Sequence, residues 1–114
     1  VLMTIRGFTV SPARYAKSKM LVRVHDSHDG LKGRASYLCD ALNARYTHRE
    51  GGYILSPAAA EKLIALYDAG YDGCLRFSRS TPAEVRIGYG PKLSIVDALK
   101  AIGFKPQRLT PTAK

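Results

Sequence analysis

Apolar and polar positions along this chain alternate in short runs, then switch to a helical period, and the switch recurs several times. Met3–Val10 alternates loosely and holds Ile5, Phe8, Thr9 and Val10, which reads as a strand. Ser11-Pro12 interrupts it. Serine caps helices and proline favours the first helical position, so a short helical turn is expected over Pro12–Lys17. Met20–His25 reads as a second strand, with Leu21 and Arg23 on one face and Met20, Val22 and Val24 on the other. His25–Gly30 is a turn by composition. Leu31, Ala35, Leu38 and Leu42 then step by four, three and four, predicting a helix from about Leu31 to Arg45.

Glu50-Gly51-Gly52 punctuates a hairpin of Arg45–His48 and Tyr53–Leu55. Ser56-Pro57 repeats the cap-then-proline signal and opens a helix over Pro57–Ala69, with Leu63, Ile64 and Tyr67 at helical spacing and Gly70 positioned to end it. Cys74–Ser80 and Glu84–Tyr89 alternate again and read as an antiparallel hairpin around Thr81-Pro82-Ala83. The last helix is expected over Lys92–Ile102, with Ile95, Ala98, Leu99 and Ile102 on one face, closing on Gly103-Phe104 as the earlier helix closes on Gly70-Tyr71. Phe8–Ala13 and Tyr53–Ala58 both run from an aromatic residue through two apolar or β-branched residues into Ser-Pro-Ala. Six residues are too few to establish a duplication.

This order predicts an α+β fold: a mostly antiparallel sheet of about five or six short strands, with three main helices packed on one face. The 114 residues suit one domain, expected over residues 1–104, followed by a basic, proline-containing tail over 105–114 that reads as mobile. Apolar content of 46% and charged content of 24% are those of a globular protein with a core of its own. No apolar run approaches the roughly 20 residues of a membrane helix, and VLMTIRGFTV does not read as a secretory signal. Cys39 and Cys74 fit no metal or redox spacing and read as buried free thiols, which makes a cytoplasmic setting the default.

Charge changes the picture most. The net +9 is concentrated at the ends: Val1–Val24 holds five basic residues and Lys105–Lys114 three, neither with an acid, while the eighty residues between are nearly balanced. A near-neutral body with basic ends suits an anionic partner. Arg76 and Arg86 fall on polar positions of the second hairpin, with Arg79 near its turn, and Arg45 and Arg49 flank Tyr46 and His48 on the first. Arginine interleaved with tyrosine can neutralise a phosphate backbone and stack on bases, so Arg45, Arg49, Arg76, Arg79, Arg86, Lys105 and Arg108 form the expected nucleic-acid-binding set. A solvated outer sheet face would also carry arginine and serine. No helix-turn-helix, RNP or zinc-finger signature is present.

The densest group of metal-ligand types is His25, Asp26, His28 and Asp29. No third motif completes a coordination shell, and a polar turn capping the next helix needs the same residue types, so no metal site is assigned. Gly88-Tyr-Gly-Pro-Lys-Leu-Ser94 places glycines before a helix, yet fails the Walker A and GxGxxG spacings and reads as a strand-to-helix turn. No catalytic arrangement stands out and no cofactor is expected. Binding ranks above catalysis, with two partners in view: nucleic acid, or protein, including self-association through sheet edges and the tyrosines at element ends.

Overall fold

A computed structural model of the chain describes residues 3–5, 8–24, 38–39, 41–72, 83–87 and 90–106. The N-terminal alternation forms two strands rather than one, β1 (Met3–Ile5) and β2 (Phe8–Pro12), paired antiparallel with Ile5 opposite Phe8 and Met3 opposite Val10. The apolar positions change parity between Ile5 and Phe8, which is what a hairpin requires and a single strand forbids. β2 pairs with β3 (Met20–Val24), so Ser11 and Pro12 are strand residues, opposite Leu21 and Met20, and do not start a helix.

The proline is accommodated because main-chain groups alternate sides along a strand. The Ala13 N–H reaches the Lys19 carbonyl on the β3 side, 3.0 Å away, so the Pro12 nitrogen faces the other side, where the β1 register has already ended at Val10.

The hairpin expected around Glu50-Gly51-Gly52 forms: β4 (Arg45–Thr47) and β5 (Gly52–Leu55) pair with Tyr46 opposite Tyr53. β5 also pairs with β3, giving a five-stranded antiparallel sheet in the order β1-β2-β3-β5-β4. Before β4 the chain leaves a helical end that includes Leu38, Cys39 and Ala41, of which Leu38 and Cys39 are fully buried; residues 31–37 and 40 of the expected helix lie outside the described residues. Asn43 takes a positive φ of 61° and the Ala44 N–H reaches back to the Cys39 carbonyl at 2.9 Å, so the helical path stops before Arg45 and not at it. Asparagine tolerates this left-handed conformation because its short side chain bonds locally.

Helix α1 (Pro57–Asp68) begins as the sequence indicates. The Ser56 hydroxyl accepts the Ala59 N–H at 3.1 Å and Pro57 opens the first turn. Its fully buried stripe is Ala60, Leu63 and Leu66, with Ile64 and Tyr67 packed at the edges, so the stripe is turned from the expected Leu63–Ile64–Tyr67 set towards Leu66. These side chains share one core with Val10, Met20, Val22 and Leu55 from β2, β3 and β5. Ser56→Ala removes the cap and is expected to cost about 1 kcal/mol, lowering the thermal midpoint by roughly 4 °C. Calorimetry showing no change would mean that the cap carries no weight.

Gly70, at φ 91°, ends α1 and leads into a second, three-stranded antiparallel sheet: β6 (Tyr71–Asp72), β7 (Glu84–Ile87) and β8 (Leu93–Ser94), in that order. The single expected sheet is therefore two. The described partner of β7 starts at Tyr71, and the expected strand Cys74–Ser80 lies outside the described residues.

Helix α2 (Ile95–Ala101) starts three residues later than its pattern indicates, because Leu93 and Ser94 pair with Val85 and Glu84 and Ser94 then caps the helix through the Asp97 N–H at 3.1 Å. It ends as expected: Gly103 at φ 66° lets the Phe104 N–H bond the Leu99 carbonyl at 3.0 Å. Val85, Tyr71, Ala98 and Leu99 join the same core, so both sheets share it. The class is thus α+β with antiparallel sheets, but α1 and α2 are the two helices bounded among the described residues, where three were expected. The radius of gyration, 13.3 Å, matches the roughly 13 Å of a compact globule of this length.

Candidate functional site

β4 is an edge strand, and Arg45 and Tyr46 are both exposed on it. Cross-strand pairing fixes their directions. Tyr46 lies opposite Tyr53, on the side of Val22 and the core, whereas Arg45 lies opposite Ile54, on the side of Leu21 and Arg23. That outer side is partly covered by residues 14–18, which join β2 to β3 with Ser18 at a positive φ of 63°.

Glu50, 6% exposed, is the only buried charged residue among those described. Its carboxylate accepts the Arg14 N–H at 3.1 Å and the Tyr15 N–H at 2.5 Å, while its main-chain carbonyl accepts from Arg23 Nη2 at 3.3 Å. The 14–18 loop leaves the sheet beside Leu55, at one end of β5, and Glu50 sits at the other end, just before Gly52. To meet Glu50 the loop must lean back along the outer face, on which Leu21 is buried.

The Arg49 guanidinium then stacks on the Tyr15 ring at 4.5 Å, a cation–π contact that ties the two loops a second time. Between them lies a shallow cleft of about 280 Å³, lined by Tyr15, Arg45, Tyr46, Arg49, Glu50 and Ile54 among others. Tyr46 is held edge-to-face by His48 and Tyr53, each with ring centroids 5.2 Å away. Across residues 8–24 and 45–55 the basic side chains are Arg14, Lys17, Lys19, Arg23, Arg45 and Arg49, all exposed, and the one acid is the buried Glu50.

Compared with protein-family models, with curated proteins and with solved structures, the chain matches none. The site is therefore defined by its own geometry.

Of the residues singled out from the sequence, Arg45 and Arg49 come together at this cleft. Arg86 lies on β7 in the other sheet, opposite Asp72. Lys105 follows α2 and borders a different cleft, about 360 Å³, with an apolar floor of Ile64, Ala65, Ile102 and Phe104 and with Glu61 and Asp68 on its rim. Two acids beside one lysine suit an anion poorly there. Arg76, Arg79 and Arg108 lie outside the described residues, as do His25, Asp26, His28 and Asp29. No cluster of three metal-ligating side chains occurs among the described residues, and no helix among them is long and apolar enough to cross a membrane.

Sequence reading missed Arg14, Tyr15, Arg23 and Glu50. Nothing local marks Glu50 as buried, since its N–H partners lie 35 and 36 residues earlier in the chain.

Proposed function

We propose that this chain is a small basic module that associates with nucleic acid through the outer face of β4, β5 and the 14–18 loop. One observation carries the reading: six exposed cations on these two hairpins face no exposed acid of their own segments. An unopposed cluster of this kind favours a polyanion, because each neutralised phosphate releases condensed counterions. Arginine at Arg45 and Arg49 adds forked donors matched to phosphate oxygens. Stacking of Arg49 on Tyr15 holds one of them in place before any partner arrives.

Affinity for random DNA or RNA should fall steeply as salt rises. Arg45→Ala and Arg49→Ala should each weaken binding about threefold to tenfold at roughly 50 mM salt and lower the salt slope by about one. A chain lacking residues 105–114, which hold Lys105 and Arg108, should bind more weakly at low salt only. Gel mobility shifts on both nucleic acids check this, and absence of any shift at about 50 mM salt would remove the reading.

A second reading, a protein-interaction domain that self-associates and has no chemistry of its own, draws on Ile87 and Val96, which are 46% and 60% exposed. Light scattering at high concentration tests it, and a strict monomer counts against self-association.

A further inference from the structure

The cleft borders a feature that phosphate binding alone does not need: two half-exposed tyrosines at the β4 edge, Tyr15 at 54% on the outer side and Tyr46 at 50% on the core side. From their placement we infer that the partner strand is unpaired, with bases stacking on Tyr46 and on the Tyr15–Arg49 pair. This deepens the nucleic-acid reading and rests on it.

In a duplex the base faces are covered by their neighbours, so an aromatic ring beside a phosphate-binding surface gains nothing from them. In a single strand each base offers a face, and rings or guanidinium planes are the groups that take it. Tyr46 is prepared for this. Its contacts with His48 and Tyr53 restrict the ring, and Tyr53 itself packs against the core, so little rotamer freedom remains to be lost on binding. Arg49 over Tyr15 forms a second flat element, whose guanidinium can face a base on one side while the ring supports it on the other.

Cross-strand geometry sets the two elements on opposite sides of the β4 edge: Tyr46 on the core side, Arg45 and the Tyr15–Arg49 pair on the outer side. A strand following that edge meets stacking and charge in turn. The cleft, about 280 Å³, is shallow and open, so a base can lie against its wall without being enclosed.

Fluorescence anisotropy on the full chain tests this at about 50 mM salt. The probes are unstructured DNA and RNA strands of about 12 nucleotides and a DNA duplex of the same length. Both single strands should bind at least about tenfold more tightly than the duplex. Tyr46→Leu should weaken single-strand binding about tenfold while leaving the duplex affinity and the salt slope unchanged, and Tyr15→Leu, which also frees Arg49, should weaken single-strand binding by more than it weakens duplex binding. Tyr46→Phe, which keeps the ring, should bind as the parent does, and circular dichroism of each variant confirms the fold. Duplex affinity equal to or above that of the single strands overturns the inference, as do neutral leucine variants, and in either case nucleic-acid association itself still stands. Failure of all three probes to bind overturns both.

Discussion

Replacing Glu50 with alanine is expected to lower the midpoint of thermal unfolding by about 10–15 °C. The carboxylate is nearly buried and accepts two main-chain N–H groups, from Arg14 and Tyr15. Hydrogen bonds to a charged acceptor contribute about 1.5–3 kcal/mol each, and a buried donor left without its partner costs a similar amount. The loop stays partly exposed and water recovers some of the loss, which puts the net cost near 3 kcal/mol, a large share of the 5–15 kcal/mol that holds a typical domain folded.

Glu50→Gln should recover less than half of this. Its amide offers one acceptor oxygen and turns an NH₂ group towards the second N–H donor. The side-chain shape is nearly unchanged, so the glutamine variant separates the role of the charge from that of packing. Amide exchange gives the local readout: the Arg14 and Tyr15 amides should both be protected in the parent, both be fast in Glu50→Ala, and one of the two remain slowed in Glu50→Gln. A midpoint that moves by less than about 3 °C in Glu50→Ala would show that the two N–H groups are satisfied equally well by water.

The neighbouring glycines are expected to fail for different reasons. Gly52→Ala should cost about 3 kcal/mol, because a Cβ there would lie 2.5 Å from the Val22 carbonyl oxygen and 3.0 Å from Leu21 Cδ1. Val22 belongs to the central strand β3, paired on both sides with Val10 and Tyr53, so its main chain has nowhere to move. Gly51→Ala meets nothing within 4 Å, and its cost is only that of the positive φ of 75°, about 1 kcal/mol. Asparagine should therefore be tolerated at position 51 and rejected at 52. Urea titration of the four variants distinguishes the two cases, and equal losses at both positions would contradict the close approach of β5 to β3.

The Ser-Pro pairs show how far sequence reading reached. Ser56-Pro57 is followed by Ala-Ala-Ala-Glu-Lys-Leu, residues of high helix propensity, and the twelve-residue helix forms. Ser11-Pro12 has the same local chemistry, but only seven residues separate Pro12 from Met20, where the next strand begins. Helix nucleation is too costly to complete in that space, and pairing with β3 wins. The capped helix α1, both glycine endings and the β4–β5 hairpin were legible because each is decided within a few residues. The division into two sheets was not, since it depends on which distant strands meet. At the cleft, Arg45 and Arg49 could be singled out from their alternation with Tyr46 and His48. Their meeting with Tyr15 depends on Glu50, whose partners are remote in sequence, and no local pattern carries that information.

The strand order β1-β2-β3-β5-β4 also bears on how the sheet assembles. β1 to β3 are joined by short connections, and so are β4 and β5, which makes each group able to form on the microsecond scale typical of hairpins. The joint between them, Met20 against Leu55, closes more than thirty residues of chain and must overcome the entropy of that loop before any contact across it is gained. Docking of the two hairpin units is therefore expected to be the slow step in folding, with Glu50 a latch across their seam.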